Sequence, residues 1–212
     1  MILISWPEPI AEEHKILNCL FAEGLQRFHI RKPLLGDGAL GQHIKGIQEE
    51  FHDRIMLHQG YSLLEQFSCK GMHFPESKKG LFEKYSHLPV TKSWAVHALD
   101  EVNAVPDGVD YILLSPVFPS ISKQGYQNNW PRGEPMHHLK HNKSNRFQYI
   151  ALGGIDLETA PKALAMGFDG VAVMGAIWEA VLKGNDVNQV VSIFHALQKM
   201  CCEKLSENGC KH

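Results

Sequence analysis

Residues 149–174 read YIALGGIDLETAPKALAMGFDGVAVM and contain a complete strand–helix–strand unit. The apolar run at 149–152 predicts a buried strand, residues 157–165 predict a helix, and residues 170–174 predict a second strand. Two strands separated by a helix are typical of a parallel βαβ unit, because parallel neighbours need a long crossover connection. This unit indicates the α/β class.

The same alternation extends over the whole chain. Helix-like segments lie at 9–22, 39–52, 62–68, 99–104, 157–165 and 188–205. Strands are predicted at 2–6, 27–31, 54–58, 71–74, 93–97, 111–116, 149–152 and 170–174. Eight units in 212 residues leave about 26 residues for each, which favours a (β/α)8 TIM barrel of minimal size over a doubly wound open sheet. No linker divides the chain, so we expect one domain over 1–212.

Composition limits the classes of partner and compartment. The 21 Lys and Arg residues against 23 Asp and Glu give a formal net charge of −2, which does not favour nucleic acid or a membrane surface as a partner. No apolar run approaches the ~18 residues that a membrane helix needs, and the N-terminus lacks the pattern of a secretory signal. Five scattered cysteines without a Cys-x-x-Cys pair predict reduced thiols in a cytoplasmic protein.

Glycines follow the last two predicted strands, where barrels of this kind often bind phosphate through backbone N–H groups. Gly153 and Gly154 end strand seven, and Met174 and Gly175 end strand eight. Because glycine has no Cβ, the backbone at these points can approach an anion closely. Each glycine taken alone can be explained by a strand-to-helix turn. The occurrence of glycines after both of the last two strands favours a phosphate site.

A second candidate anion site follows strand six. Ser120 and Ser122 are two hydroxyls at i and i+2, and Lys123 adds a positive charge directly after them. A solvated turn is the alternative. The irregular stretch 117–134 around them is long for a compact domain, which is typical of a functional lid or a disordered segment.

Histidine is unusually frequent, with 13 residues in the chain. His29, His58, His73 and His97 fall towards the carboxyl ends of predicted strands two to five and are expected on one rim. Imidazoles there favour polar lining or acid–base roles over metal binding, because no His-x-His pair occurs and no acidic residue accompanies them at strand eight. No metal ligand is therefore assigned. His137, His138 and His141 form another cluster, which we interpret as part of a helix surface.

Three segments resemble the thiamine phosphate synthase and TenI family, whose members are (β/α)8 barrels. Residues 110–123, DYILLSPVFPSISK, are similar to the family segment Gly-Pro-Val-Phe-Pro-Thr-x-Thr-Lys. The similarity continues through IALGGI at 150–155 and GFDGVAVMGAI at 167–177 and covers nearly the whole chain. The resemblance implies a thiazole phosphate held by the glycine loops and, in the synthases, a magnesium-dependent coupling to a pyrimidine diphosphate.

The positions that contact pyrophosphate in the family are only partly kept. The resemblance implies that Arg31 contacts pyrophosphate and that His29 stands where the family has glutamine. The family lysine two positions after the arginine is Pro33 here, with Lys32 displaced by one residue. In strand five, Ala95 replaces the family serine of Ser-x-His.

The two magnesium-binding aspartates are absent. Counting from His73 places Gln59 and Lys78 at their positions, and magnesium prefers carboxylate oxygens. No cofactor is therefore certain, and Mg is expected only if synthase activity is retained. TenI-type members also lack these aspartates and include enzymes that tautomerise a thiazole carboxylate phosphate. Their catalytic histidine corresponds to Pro116, so catalytic roles are expected elsewhere, at His97, Lys123, His73 and His58.

The sequence leaves four functions open. A TenI-like role on a thiazole phosphate is slightly favoured over coupling of that compound to a pyrimidine diphosphate. A non-catalytic sensor that keeps the phosphate pocket is a third possibility, and an unrelated phosphate-binding barrel is a fourth. A homo-oligomer is expected because family members often associate.

Overall fold

The computed structural model describes residues 1–119, 137, 139 and 141–209, with side chains as far as 203. Eight parallel strands pair in chain order and close between the last strand and the first, which confirms the (β/α)8 barrel. The strands are β1 Ile2–Ile4, β2 Phe28–Ile30, β3 Ile55–Leu57, β4 Gly71–Phe74, β5 Thr91–Val96, β6 Tyr111–Leu114, β7 Gln148–Leu152 and β8 Gly170–Val173.

Helices lie between the strands, and three of the connections contain 3₁₀ helices at Glu49–Arg54, Glu76–Leu81 and Leu99–Ala104. The α-helices of the described residues are α1 Glu13–Ala22, α2 Asp37–Lys45, α3 Leu63–Phe67, α4 Phe82–Tyr85, α5 Ala160–Met166, α6 Gly175–Leu182 and α7 Val187–Gly209.

Several predicted helices have different bounds for local reasons. The helix expected from residue 9 begins at Glu13, because Glu12 adopts a left-handed backbone conformation with φ of 56°. The helix expected over 39–52 ends at Lys45, where a Cβ on Gly46 would lie 2.5 Å from the His14 ring. Helix α6 was not predicted, since its sequence is apolar on nearly all sides and continues the apolar run of β8.

The core has two layers. The larger cluster lies between strands and helices and includes Trp178, which is fully buried and donates a hydrogen bond from Nε1 to the Ile4 carbonyl at 2.8 Å. A smaller cluster lies inside the barrel and contains Ile2, Ile4, Met56, Tyr111, Leu113, Ile150 and Ala172. Side chains alternate between these layers along each strand, so inward-facing polar residues line the barrel interior.

Within the described ranges, none of the helices is both long enough and apolar enough to span a bilayer.

Candidate functional site

A cavity of about 620 Å³ opens at the carboxyl ends of β7 and β8. Helix α6 begins at Gly175 in its wall. The first N–H groups of a helix have no partner within the helix, so a helix start can bind an anion. Four of the six residues predicted for phosphate binding, Gly153, Gly154, Met174 and Gly175, line this cavity.

Gly153 and Gly154 are required by their backbone geometry. Their φ angles are +92° and +62°, in the region that side chains rarely adopt. A Cβ on Gly154 would lie 2.6 Å from the Pro119 carbonyl oxygen, and one on Gly153 would lie 2.9 Å from Pro116. The glycines therefore allow the loop after β7 to pack directly on the segment that follows β6.

Carboxylates and one ammonium group surround the cavity among the described lining residues. Asp156 accepts hydrogen bonds from the backbone N–H groups of Glu158 and Thr159 and so caps the turn before α5. Burial alone raises the pKa of Asp156, but these hydrogen bonds outweigh it and hold the pKa below its usual value. Glu179 lies 3.5 Å from Lys183 and offsets its charge. The backbone N–H groups at the start of α6 are therefore the main positive feature of the described lining.

Three of the four predicted rim histidines meet inside the barrel. His29 Nδ1 lies 2.9 Å from His58 Nε2, and His29 Nε2 lies 2.7 Å from the Tyr111 hydroxyl. His73 Nδ1 lies 2.9 Å from Ser93 Oγ, and its ring centroid is 4.2 Å from that of His58. All three imidazoles are buried and form a connected polar network with Tyr111 and Ser93.

Burial also keeps these imidazoles neutral. It is the main cause that lowers the pKa of His29 and of His58 well below the usual value. The pKa of His73 falls to about 3, first through burial and then through positive neighbours such as Arg31. Neutral imidazoles with such low basicity are poor proton acceptors near pH 7.

His97 occupies a different environment. It follows β5, is exposed, and its Nδ1 lies 3.0 Å from the Ser115 carbonyl oxygen. A carbonyl can only accept, so Nδ1 carries the proton and the Nε2 lone pair remains available in the neutral ring. Ser115 leads into Pro116, whose Cα approaches Gly153, so His97 is linked by contacts to the glycine loop.

His29 and Arg31, both predicted to contact an anion, are placed differently. Arg31 follows β2 and is exposed, in keeping with access to a ligand. His29 lies in the middle of β2 and is fully buried, so it does not reach the opening directly. The expected position of His29 at the end of its strand was therefore wrong by one residue.

Residues at the family's magnesium and lysine positions have other partners. Gln59 donates from Nε2 to the carbonyls of Lys32 and Leu35, at 2.6 and 3.0 Å. Lys32 is buried and pairs with Glu13 at 2.7 Å, away from the opening. Lys32 therefore does not replace the missing family lysine.

Three predicted site residues, Ser120, Ser122 and Lys123, lie outside the described residues, as do His138 and most of the stretch 117–134. His137 and His141 are exposed with ring centroids 4.7 Å apart, as helical spacing predicts. Sequence reasoning did not identify Tyr111 and Ser93 as members of the site. Strand alternation was the available signal, because Tyr111 and Ser93 are neighbours in the β5–β6 register and face the same layer as His29 and His73.

The fold and the site together define a (β/α)8 barrel with its cavity on the carboxyl face, the class in which loops after strands seven and eight frequently bind phosphate. A model of the thiamine monophosphate synthase family matches residues 2–177. The chain belongs to this family.

Curated relatives carry the same name. The chain is 31% identical over 207 residues to the thiamine-phosphate synthase of Lysinibacillus sphaericus, and the alignment covers 93% of this chain and 92% of that protein. It is 37% identical over 87 residues to the thiamine-phosphate synthase of Anoxybacillus flavithermus, which covers 41% of this chain and 39% of the relative.

Solved structures share the fold. The thiamine phosphate pyrophosphorylase of Bacteroides thetaiotaomicron superposes with a TM-score of 0.76 at 24% identity, covering 94% of this chain and 96% of that one. The thiamine phosphate pyrophosphorylase of Pyrococcus furiosus gives 0.75 at 16% identity, with 96% of each chain covered. At these identities the likeness establishes the barrel architecture.

Proposed function

We propose that this protein binds a thiazole phosphate and catalyses a proton transfer on it, a TenI-like tautomerisation. The observation that carries the proposal is the hydrogen bond between His97 Nδ1 and the Ser115 carbonyl, which leaves Nε2 as a proton acceptor at the opening of the barrel. Membership in the thiamine monophosphate synthase family supports this substrate class.

The cavity beside Gly153, Gly154 and Gly175 supports the binding part of the proposal. It is large enough for a small phosphorylated heterocycle, at about 620 Å³. Backbone N–H groups at the start of α6 suit the phosphate. Glu179 offsets the positive charge of Lys183, so phosphate binding needs a further cation. The family motif after β6 provides Lys123 for this role.

The proton transfer requires no co-reactant. A base removes the proton from the tetrahedral ring carbon, the electron pair shifts through the conjugated system, and a proton is delivered to an exocyclic carbon, so that the ring becomes aromatic. His97 is the candidate base because an imidazole is suited to proton transfer near neutral pH and because it is exposed. His58 and His73 are less suitable, since burial lowers the pKa of each.

The magnesium that family synthases use does not fit the residues at the corresponding positions. Gln59 points its amide nitrogen at two carbonyls, and the other position is Lys78. The nearby carboxylates of Glu76 and Glu101 are both paired with Lys79. No step through magnesium is therefore proposed. Coupling to a pyrimidine diphosphate is the second candidate function, favoured by the similarity to thiamine-phosphate synthases and by the exposed Arg31.

Binding and turnover can be tested with purified protein. Calorimetry with the thiazole phosphate is expected to give a dissociation constant on the order of micromolar, about −8 kcal/mol. Incubation with the non-aromatic thiazole carboxylate phosphate is expected to give the aromatic tautomer. Absence of binding would contradict the whole proposal. Robust thiamin phosphate formation from the thiazole phosphate, pyrimidine diphosphate and magnesium would instead establish the second candidate.

His97→Gln tests the base within the same assay. Glutamine keeps a polar side chain but cannot accept and release the proton, so kcat for tautomerisation is expected to fall about 100-fold with little change in KM. His137→Gln is the matched control because His137 is likewise an exposed histidine but packs against His141 rather than facing the Ser115 carbonyl. Equal rates for His97→Gln and the control would show that another residue is the base. Absence of turnover by the wild-type protein and both variants would favour a non-catalytic sensor.

Gly154→Ala tests the glycine loop. The new Cβ would lie 2.6 Å from the Pro119 carbonyl oxygen at a φ of +62°, so the loop must move. We expect the affinity for thiazole phosphate to fall about tenfold or more, measured by calorimetry. Gly108→Ala is the control, since Gly108 has a φ of +85° but open space around its Cβ position. Equal affinities of the two variants for thiazole phosphate would show that the glycine loop does not contribute to the binding site.

A further inference from the structure

We propose that His29, His58 and His73 form a binding site for one late first-row divalent cation such as zinc, with a fourth coordination position left open. This site lies inside the barrel and is distinct from the family's magnesium positions and from the base of the proposed reaction. It goes beyond the proposed function, since proton transfer by His97 does not need it.

The geometry of the three rings carries the proposal. Each ring offers one nitrogen, and these nitrogens all lie within 4.8 Å of one another. The rings come from β2, the residue after β3, and β4, which are hydrogen-bonded neighbours in the barrel. Strand positions fix His29 and His73, and the His58 backbone N–H donates to the Ile30 carbonyl at 3.2 Å, which ties the third ring to β2.

Two of the rings are held by their other nitrogen. His29 Nε2 contacts the Tyr111 hydroxyl at 2.7 Å, which leaves Nδ1 facing His58. His73 Nδ1 contacts Ser93 Oγ at 2.9 Å, which leaves Nε2 as its remaining ligand atom. Metal-bound histidines usually have such a partner on the second nitrogen, because it fixes the tautomer and the ring orientation.

The distances are close to those that a tetrahedral ion needs. Zinc–nitrogen bonds of about 2.0–2.1 Å place ligand nitrogens roughly 3.3 Å apart in a tetrahedron. The His29–His58 pair at 2.9 Å must open slightly, and the widest separation must close by about 1.5 Å, within the reach of small side-chain rotations. The proton between His29 and His58 moves to the other nitrogen of its ring, so both rings stay neutral.

Charge determines which ion fits and what completes its shell. The described cluster offers only neutral nitrogen ligands, which suit zinc, cobalt, nickel or copper and do not suit magnesium. The three rings bring no negative charge, so a dication bound among them inside the barrel needs an anion beside it. We therefore expect the fourth ligand to be hydroxide or an anionic group of a small molecule. Three histidines with one open position are a common zinc arrangement in enzymes.

The experiment uses the full chain stripped with a chelator and titrated with Co²⁺. Binding of one Co²⁺ per chain is expected, with the visible absorption of a four-coordinate ion. His58→Gln is expected to lower the affinity at least about 100-fold, because one of three protein ligands is lost. His141→Gln is the matched control, since it removes one ring of the exposed His137–His141 pair that could bind metal by itself.

Tyr111→Phe provides a second variant that keeps all three ligands. It removes the hydroxyl that holds His29 and is expected to weaken Co²⁺ binding about tenfold. The proposal is wrong if the wild-type chain takes up no four-coordinate Co²⁺, or if uptake survives His58→Gln unchanged. If His58→Gln does not fold, unchanged affinity in Tyr111→Phe overturns the proposal by itself.

Discussion

Lowering the pH from 7 to 5 is expected to reduce the free energy of unfolding of the metal-free protein by several kcal/mol. The reason is that the folded protein buries neutral histidines. Burial, followed by His14 and Lys32, lowers the pKa of His43 to about 4. An unfolded histidine titrates near 6.5, so between pH 6.5 and 4 the unfolded chain binds a proton that the folded chain rejects. The stabilisation is complete above pH 6.5 and is lost as the pH falls.

The magnitude follows from proton linkage. Each pH unit in that window costs about 1.4 kcal/mol per histidine, so His43 alone accounts for about 2 kcal/mol at pH 5. The lowered pKa values of His29, His58 and His73 act in the same direction. His73, whose pKa is about 3, is expected to double the loss from His43 to about 4 kcal/mol at pH 5, and His29 and His58 add to it.

Urea unfolding at pH 7 and pH 5, with a chelator present, measures this effect. His43→Gln is expected to reduce the loss between the two pH values by about 2 kcal/mol, since one titrating group is removed. His137→Gln is the control, because it removes an exposed histidine from outside the buried cluster. Equal stability of the wild-type protein at pH 7 and pH 5 would contradict the prediction.

The strands were predictable because each is a short, buried, mostly apolar run. All eight predicted strands overlap observed ones, and β4 has the predicted bounds. The helices were harder to bound, because their ends depend on contacts that are distant in sequence. Gly46, for example, ends α2 where it packs against the His14 ring of α1. Periodicity within one segment carries no information about such a contact.

The candidate site was predictable in part for the same reason. Glycines after β7 and β8 lie at the cavity, because chain order fixes which strand ends are neighbours. The depth of each histidine was not predictable. His29 lies inside the barrel and His97 lies at the surface, although both were placed at strand ends. That difference depends on how far each strand extends, and an error of one residue changes both depth and direction.

Lys32 illustrates the consequence of such a shift. It lies one residue before the position of the family lysine, and side chains alternate direction along an extended chain. Its ammonium is consequently directed towards α1, where it pairs with Glu13 at 2.7 Å and donates to the Glu8 carbonyl at 2.9 Å. Both side chains are buried, Lys32 binds Glu13 Oε2, and Glu13 Oε1 has no hydrogen-bond partner among the described residues.

Lys32→Met is therefore expected to destabilise the protein by about 3–5 kcal/mol while leaving ligand affinity of the folded molecules unchanged. The loss is large because the Glu13 carboxylate stays buried without a cation. Urea unfolding measures the first effect, and calorimetry with thiazole phosphate measures the second. Lys162→Met is the matched control, since the Lys162–Glu158 pair is exposed and should contribute about 0.5 kcal/mol or less.

The double variant Glu13→Leu with Lys32→Met separates the energy of the pair from the cost of isolating one charge. Removing both charges leaves no buried carboxylate, so the double variant is expected to recover most of the stability lost in Lys32→Met. The Glu8 carbonyl still loses its donor, which leaves a residual cost of about 1 kcal/mol. A double variant no more stable than Lys32→Met would mean that the lysine stabilises the barrel through packing of its aliphatic stem. Weaker binding of thiazole phosphate by either folded variant would instead place Lys32 in the binding site, although its ammonium is directed towards α1.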